Sequence, residues 1–240
     1  MLSIMIPCLN EENNLENTVS DIIQVANETE TQLDIIIVDD GSTDKTGFLI
    51  SELTRKYNFI RGIFNKTNIG IGESLKKAIK IVKYEKFTII GGSNDMSINL
   101  LRELFRYKNK AELVFGFYLN KKVRCRRRIV LSNFYNLIYT VLFDIYIQYI
   151  NSPCIYPTWK LRGLPIRAQR FSVIAEITVK LLRQGCSFFE IPGYAQAKKQ
   201  NSSAIKIKNL VEVINTFFML IIEIFLTQRS LYNKKPVRVY

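Results

Sequence analysis

The chain of 240 residues contains no histidine. This absence excludes Ser-His-Asp and Cys-His nucleophilic sites, and it excludes zinc sites built on imidazole. Cysteine is scarce, with four residues that lie far apart and form no Cys-x-x-Cys pair. Neither a zinc centre nor a disulfide framework is therefore predicted, and a reducing compartment fits better. Any catalysis must rest on carboxylates, basic side chains and an oxygen-ligated metal ion.

Acidic residues are also few, with 21 Asp and Glu against 34 Lys and Arg, so that the net charge is +13. Such an excess favours an anionic partner, which can be nucleic acid, an anionic membrane surface or a phosphorylated substrate. A hydrophobic content of 48% with 23% charged residues indicates a globular chain with one sizeable core. No secretory leader is expected, because residues 1–6 run directly into the first predicted strand.

Short apolar runs alternate with helical patterns through the first half of the chain. Strands are predicted at residues 2–7, 34–38, 60–64, 87–90 and 113–117, with helices between them. This order predicts an α/β fold with a mostly parallel sheet flanked by helices. Proline is rare, but residues 151–165 hold three of the six prolines and are predicted to be a loop. A helix at 172–184, a strand at 188–191 and a long apolar helix at about 208–226 follow.

Acidic side chains follow the first two predicted strands, in IPCLNEENNL at residues 6–15 and IIIVDDGSTDKT at 35–46. Ligands of open α/β sheets bind beyond the carboxyl ends of the strands. Glu11, Asp39 and Asp40 are therefore predicted to line a ligand cleft, where carboxylates can accept hydrogen bonds from a base or from ribose hydroxyls. The alternative is that Asp40, Ser42 and Asp44 only form a turn and a helix cap. The helix predicted from Thr43 to Tyr57 can be capped by Ser42 or Thr43.

The fourth predicted strand ends in GGSNDMS at residues 91–97. Glycines allow the backbone to approach a phosphate, and Asp95 offers an oxygen ligand for Mg²⁺ or Mn²⁺. The alternative is an ordinary strand-to-helix turn in which Ser97 caps the following helix. Three acid-bearing strand ends in one parallel sheet predict that Glu11, Asp40 and Asp95 converge on one cleft.

These segments, together with NKTNIGIGESLKKAI at residues 65–79, resemble the GT-A-fold inverting glycosyltransferases in order and spacing. The nearest type is the polyprenyl-phosphate group, which is similar to dolichyl-phosphate mannose synthase. The resemblance covers residues 1–120 well and 120–210 loosely. It implies a GT-A-type domain at residues 1–205, with a Rossmann-like sheet, followed by a membrane-associated amphipathic helix and basic tail at 206–240.

The resemblance implies a nucleotide diphosphate sugar as donor, with a divalent cation, Mg²⁺ or Mn²⁺, as cofactor. The donor nucleotide would lie against five residues of the first two strand ends, namely Pro7, Leu9, Glu11, Val38 and Asp40. The family's Asp-x-Asp metal motif falls on Ser93, Asn94 and Asp95, and Asp95 keeps the position of the usual metal ligand. Because Ser93 replaces the first Asp, this chain has one carboxylate fewer for the cation.

The acceptor implied by the resemblance is a polyprenyl phosphate, held by the basic residues Arg128 and Lys198. Its oxygen is already an anion, so that transfer with inversion needs no general base. A sugar hydroxyl acceptor would need one. Glu176 is a candidate for that role, and the alternative is a solvated carboxylate on a helix face. The segment after Ile150 departs most from the family, because Asn151 stands where the family has Asp.

The apolar run at residues 210–226 is interrupted by Glu212 and Glu223, which disfavours a transmembrane span. An interfacial amphipathic helix is favoured, and a buried packing or dimer helix is the alternative. The chain is thus expected to be peripheral on the cytoplasmic face of an anionic membrane. Two other classes stay open. One is a catalytically impaired nucleotide-binding relative, and the other is a nucleic-acid-binding protein, which is disfavoured because strand-end acids would repel phosphates.

Overall fold

The computed structural model describes residues 1–120, 126–170, 172–194 and 207–240, with the side chains of residues 126–128 and 207–210 left out of the description. Within these residues the strands form one eight-stranded sheet. The strands are Leu2–Cys8 (β1), Leu33–Asp39 (β2), Ile60–Phe64 (β3), Lys86–Ile89 (β4), Leu113–Tyr118 (β5), Cys154–Pro157 (β6), Ser187–Gly193 (β7) and Val237–Arg238 (β8).

The strand order is β3-β2-β1-β4-β6-β5-β7-β8. All neighbouring pairs are parallel except those of β6, which runs antiparallel to both β4 and β5. Strand β1 lies between β2 and β4, so the three loops that follow these strands leave the sheet at one edge. The predicted α/β fold with a mostly parallel sheet is confirmed.

Helices cover both faces of the sheet because the strand residues alternate in direction. The helices are Leu15–Glu28 (α1), Thr46–Lys56 (α2), Ile71–Ile81 (α3), Ile98–Arg106 (α4), Arg126–Leu142 (α5), Thr158–Arg162 (α6), Val173–Arg183 (α7) and Ile207–Ile221 (α8), and a π-helical segment at Ile222–Thr227 continues α8. Leu2, Ile4 and Ile6 face a core shared with α1, α2 and α4. Met5 and Val38 face the other core, which is shared with α3, α5, α6, α7 and α8.

The loop predicted at residues 151–165 is wrong, because this segment contains β6 and α6. The four residues of β6 are buried in the middle of the sheet. Pro157 occupies the last position of the strand, opposite Lys86, and the next residue, Thr158, donates its N–H to Glu85 O at 2.8 Å. The apolar run of Cys154, Ile155 and Tyr156 was the signal for a strand, and the flanking prolines mark its ends rather than a continuous loop.

The C-terminal region contributes buried residues to the core that contains Met5 and Val38. Leu220 and Ile224 are buried on one side of α8 and its π-helical continuation, and Tyr232 is buried after them. Strand β8 then adds to the sheet by parallel pairing with β7. None of the helices in the described part of the chain is both long and apolar enough to cross a bilayer. A separate functional role for residues 206–240 stays a prediction.

Candidate active site at the strand ends

The loops after β1 and β2 are fastened to each other by hydrogen bonds. Asn10, which has a left-handed backbone with φ 57°, donates its N–H to Ser42 Oγ at 3.0 Å. Its side-chain Oδ1 accepts the Thr43 N–H at 2.8 Å. The Glu11 N–H is donated to Thr46 Oγ1 at 2.8 Å. The two strand-end motifs therefore form one unit, which places Glu11 beside the β2 loop.

The predicted capping of α2 by Ser42 or Thr43 is wrong, because both residues are used to hold Asn10 and α2 begins later, at Thr46. Asp44, which the turn-and-cap alternative included, binds the start of this helix. Its Oδ1 accepts the Thr46 N–H at 2.9 Å and the Thr46 hydroxyl at 2.6 Å. Burial opposes ionisation of Asp44, but the hydrogen bonds from Thr46 prevail and lower the pKa of this carboxyl.

Asp40 is buried at the end of β2, where its carboxylate organises the turn between β3 and α3. Oδ2 accepts the Gly70 N–H at 2.9 Å, and Oδ1 accepts the Ile69 N–H at 3.0 Å. Asp39 forms the local turn, because its Oδ1 accepts the Ser42 N–H at 2.9 Å. Both Asp39 and Asp40 thus have the turn-forming role of the alternative interpretation. The nucleotide contact of Asp40 stays a prediction.

Asn65, which follows β3, was missed by the sequence analysis. Its side-chain amide donates to Asp40 Oδ1 at 3.0 Å, and its Oδ1 accepts a hydrogen bond from Lys77 Nζ at 2.6 Å. The Asn65 side chain therefore links the Lys77 ammonium group to the Asp40 carboxylate. The available signal was a polar residue directly after a predicted strand, which is the same pattern that marked the first two strand ends.

The turn after β4 packs directly on the end of β1. The Gly92 N–H is donated to Pro7 O at 3.2 Å, and Gly92 O accepts the Thr18 hydroxyl at 3.0 Å. A Cβ atom on Gly92 would lie 2.7 Å from Cys8 Sγ and 3.4 Å from Glu11 Cγ. Only glycine allows this approach, and it brings the GGSND segment against Glu11.

Ser93, Asn94 and Asp95 follow this contact and are partly exposed, and Asn94 has a left-handed backbone with φ 50°. The predicted cap at Ser97 is confirmed, since its hydroxyl accepts the Leu100 N–H at 3.3 Å. Helix α4 consequently begins directly after the metal motif. The backbone of residues 93–95 is therefore fixed at both ends, by Gly92 on β1 and by the start of α4.

The structure brings the loops of all three predicted acids to one sheet edge. Glu11 lies against Gly92 of the β4 turn, and the Asp40 N–H is donated to Cys8 O at 2.9 Å. Asp95 follows Gly92 by three residues in the same turn. A ligand that spans these three loops could contact oxygen-rich segments from β1, β2 and β4.

The metal motif offers the hydroxyl of Ser93, the side-chain carbonyl of Asn94 and the carboxylate of Asp95. Within the described residues, no group of three or more acidic or cysteine side chains could hold a metal ion alone. A single protein carboxylate fits a Mg²⁺ or Mn²⁺ ion that takes its other oxygen ligands from a diphosphate and water. The donor set is thus suited to a cation shared with the substrate.

The remaining residues predicted at the nucleotide site differ in exposure. Leu9 is 43% exposed at the end of β1, whereas Val38 is fully buried and lies between Pro7 of β1 and Ile63 of β3, so its nucleotide contact stays a prediction. Burial, reinforced by the charges of Glu11 and Asp39, raises the pKa of the intervening Cys8 thiol. Cys8 is therefore a packing residue and not a nucleophile.

The two basic residues predicted to bind the acceptor cannot be placed. Arg128 belongs to α5, but its side chain lies outside the described residues, and so does the whole of Lys198. Their roles stay predictions.

Glu176 is fully buried, so its prediction as a solvated helix-face carboxylate is wrong. Its Oε2 accepts the N–H groups of Arg167 and Ala168 at 3.0 and 2.8 Å. Its Oε1 accepts a hydrogen bond from Lys180 Nζ at 2.8 Å, and this lysine also pairs with Glu223 at 3.0 Å. The carboxylate therefore holds the loop before α7, and this arrangement does not suit a general base.

That loop reaches the edge of the strand-end site. The Gly72 N–H is donated to Gln169 O at 2.7 Å. Gly70 has φ 92°, and a Cβ on it would lie only 2.4 Å from the same carbonyl oxygen. The glycine pair is thus explained by close backbone contact with residues 167–170 and not only by a turn.

Comparison with known proteins places this geometry in a family. The model of glycosyl transferase family 2 matches residues 3–162. Glycosyltransferase GlyG of Streptococcus pneumoniae is 26% identical over 122 residues, which are 50% of this chain and 40% of that protein. The probable glycosyltransferase YdaM of Bacillus subtilis is 25% identical over 143 residues, which are 52% of this chain and 34% of that protein. The chain thus matches less than half of the length of these two relatives.

Among solved structures, glucosyl-3-phosphoglycerate synthase from Mycobacterium tuberculosis has a similar fold. Its complex with Mn²⁺, UDP and glucosyl-3-phosphoglycerate gives a TM-score of 0.66 at 17% identity, covering 91% of this chain and 79% of that one. Its complex with Mn²⁺, UDP-glucose and phosphoglyceric acid gives a TM-score of 0.64 at 18% identity with the same coverage. The GT-A-type fold predicted from the sequence is confirmed.

Proposed function

Because the chain belongs to glycosyl transferase family 2, we propose that it transfers a sugar from a nucleotide diphosphate sugar to a lipid-linked phosphate at an anionic membrane surface. The reaction uses Mg²⁺ or Mn²⁺ and inverts the anomeric centre. The observation that carries this proposal is the meeting of the Glu11, Asp40 and Asp95 loops at one edge of a parallel sheet. Membership of the polyprenyl-phosphate group is part of the proposal.

The strand-end residues divide the work of binding the donor. Glu11 and the Asp40 turn accept hydrogen bonds from the base and ribose, and Leu9 offers an exposed apolar contact beside them. Asp95 would hold the divalent cation, with Ser93 contributing at most through water, and the bound cation would neutralise charge on the leaving diphosphate. Support comes from the mycobacterial synthase, whose structures contain Mn²⁺ with UDP or UDP-glucose.

The proposed transfer is a single displacement. An oxygen of the acceptor phosphate attacks the anomeric carbon and forms a new C–O bond, while the C–O bond to the diphosphate breaks and the nucleoside diphosphate leaves with the electron pair. A phosphate monoester is ionised at neutral pH, so no proton has to be removed. This suits a chain that has no histidine and whose Glu176 is committed to backbone amides. Arg128 and Lys198 are proposed to hold the acceptor phosphate.

Two neighbouring helices support the membrane location. Tyr139 and Phe143 of α5 pack on Phe217 of α8, so that the outer faces of both helices lie side by side. These outer faces carry large apolar side chains at helical spacing, each 46–68% exposed: Val130, Phe134, Leu137 and Val141 on α5, Val211, Ile214 and Phe218 on α8, and Ile222 at the start of its π-helical continuation. An exposed apolar face on a chain of net charge +13 is typical of interfacial binding to anionic lipid.

A catalytically impaired nucleotide-binding relative is the second candidate, and the replacement of an acidic metal-motif residue by Ser93 favours it. The two candidates share the donor site and differ in turnover. They are therefore separated by an assay of transfer, not by binding.

The test is transfer by the full chain to a prenyl phosphate in liposomes that contain anionic lipid. A panel of nucleotide diphosphate sugars is supplied with Mn²⁺ or Mg²⁺, and the sugar that enters the organic phase is quantified together with nucleoside diphosphate release. We expect sugar in the organic phase with at least one donor, and none from Asp95→Ala. Donor binding without any transfer would establish the impaired relative, and transfer only to soluble hydroxyl acceptors would refute the lipid-phosphate acceptor.

A further inference from the structure

A cavity of about 420 Å³ lies between the loop before α7 and residues 211–219 of α8. It is separate from the strand-end residues and combines charged, polar and apolar side chains. Its lining includes Arg167, Arg170, Val211, Glu212, Asn215 and Met219. Such a mixture fits a ligand with an anionic end and an apolar end.

The backbone of residues 167–170 is held in place without using the arginine side chains. Glu176 accepts the N–H of Arg167, and Glu212 Oε1 accepts the Arg170 N–H at 2.6 Å and the Gln169 N–H at 3.0 Å. Within the described residues, neither arginine guanidinium has a hydrogen-bond or ion-pair partner. Two fixed Cα positions with uncommitted guanidinium groups are a suitable start for phosphate binding, because the planar fork matches phosphate oxygens.

The charge of the cavity favours an anion, with two guanidinium groups against one carboxylate. The Oε1 atom of that carboxylate, on Glu212, already accepts two backbone N–H groups. Its Oε2 is buried and has no hydrogen-bond partner among the described residues. The Asn215 amide adds a neutral hydrogen-bonding group to the same wall, where the Thr216 hydroxyl already donates to Ser172 Oγ at 3.0 Å.

The cavity adjoins the proposed donor site. The Cγ of Arg170 lies 3.1 Å from the position that a Cβ of Gly70 would take, and the Gly70 N–H is bonded to Asp40. The Arg170 side chain therefore packs beside Gly70, which belongs to the turn that the Asp40 carboxylate holds. A group bound between the arginines would approach the donor from the C-terminal half of the chain.

The apolar side of the cavity continues onto the membrane-facing surface. Val211 and Met219 line the cavity, and Val211 is 52% exposed. Ile214 and Phe218 follow on the exposed face of α8 at spacings of three and seven residues from Val211. An apolar chain attached to a phosphate in the cavity thus has a continuous apolar path toward the bilayer.

We infer that this cavity binds the phosphate monoester group of the acceptor between the guanidinium groups of Arg167 and Arg170, with the acceptor's apolar chain lying along α8. The inference rests on the proposed function for its ligand class. It adds two arginines to the acceptor site, which the family resemblance had placed on Arg128 and Lys198 alone.

The test compares the double variant Arg167→Gln/Arg170→Gln with the wild type by calorimetric titration of the full chain. Gln keeps Cγ and the backbone N–H, so the loop contacts remain. Three probes distinguish the sources of phosphate: inorganic phosphate, ethyl phosphate and a short soluble prenyl phosphate. The matched control is Arg55→Gln/Arg106→Gln, which removes two exposed arginines from α2 and α4.

We expect the prenyl phosphate to bind the wild type more tightly than ethyl phosphate, and the double variant to lose at least about tenfold in affinity for both. The control should bind like the wild type. Unchanged phosphate affinity in a folded double variant would overturn the site. Equal affinity for the two esters would overturn the path along α8. Donor binding with Mn²⁺ is titrated separately and should be unchanged in the double variant. If neither the wild type nor any variant binds a donor, the proposed function is refuted. The phosphate titration would still show whether the cavity binds phosphate.

Discussion

Replacing Lys180 by Met should strongly destabilise the protein, because this lysine is the positive centre of a buried charge cluster. Lys180 is fully buried, and its Nζ donates to Pro165 O at 2.6 Å and to Glu176 Oε1 at 2.8 Å. It also pairs with Glu223 at 3.0 Å, and that glutamate is 2% exposed. The cluster links α7, the loop before it and the π-helical end of α8.

The magnitude follows from these distances. At an effective dielectric constant of about 20, each ion pair contributes an attraction of about 6 kcal/mol, most of which offsets the cost of burying the charges. Removing one partner of a buried pair typically costs about 3–5 kcal/mol. Since Lys180→Met leaves two carboxylates without their counter-charge, we expect a loss near 5 kcal/mol in the free energy of unfolding. This would be a large share of the about 5–15 kcal/mol of a typical domain.

Urea denaturation followed by circular dichroism measures this loss. Lys83→Met is the matched control, because Lys83 is exposed, and its effect should lie within about 0.5 kcal/mol of zero. Lys180→Met/Glu223→Gln should recover part of the stability, since it removes one of the two uncompensated charges. A loss below about 1 kcal/mol for Lys180→Met, or no recovery in the double variant, would refute the charge-cluster argument.

Three further predictions concern the site and the surface. Asp95→Ala should abolish metal-dependent transfer, and Ser93→Asp should tighten Mn²⁺ binding; unchanged transfer in Asp95→Ala would show that the metal motif is wrongly assigned. Gly72→Ala should destabilise the protein by about 1–3 kcal/mol, because the new Cβ would lie 2.2 Å from Ala168 O, whereas Gly91→Ala meets only an ordinary contact at 3.5 Å and serves as the control in the same urea assay. Binding to liposomes should require anionic lipid, weaken with salt and fall in Phe218→Ser, and equal binding to neutral liposomes in high salt would contradict the interfacial face.

Apolar runs and capping residues predicted the strands and helices whose ends are defined by neighbouring residues in the chain. Strand β3 has the predicted bounds, which a short apolar run defines, and helix α4 begins directly after the predicted cap Ser97. Strand β6 was missed because its pairing is non-local. It inserts antiparallel between β4 and β5, and nothing within residues 154–157 specifies those partners.

For the candidate site, the sequence predicted which acidic residues lie at the strand ends but not the hydrogen bonds that hold their loops. The sequence placed Glu11, Asp40 and Asp95 after apolar strands, and the parallel pairing of β1 with β2 and β4 brings their loops together. The hydrogen bonds of Asn10 to the β2 loop and the burial of Glu176 could not be predicted, since both depend on how distant segments pack. Those tertiary contacts decide which polar side chains organise the loops.

The central claim is that the strand-end cleft binds a nucleotide diphosphate sugar together with a divalent cation. A thermal-shift screen of nucleotide diphosphate sugars, with and without Mn²⁺, tests it most directly on the wild type and on Asp95→Ala. A ligand at a hundred times its dissociation constant stabilises the native state by about 2.7 kcal/mol, which corresponds to a shift of roughly 5–10 °C for a domain of this size. We predict such a Mn²⁺-dependent shift with at least one donor and its loss in Asp95→Ala. No shift with any donor, or an equal shift in Asp95→Ala, would contradict the account.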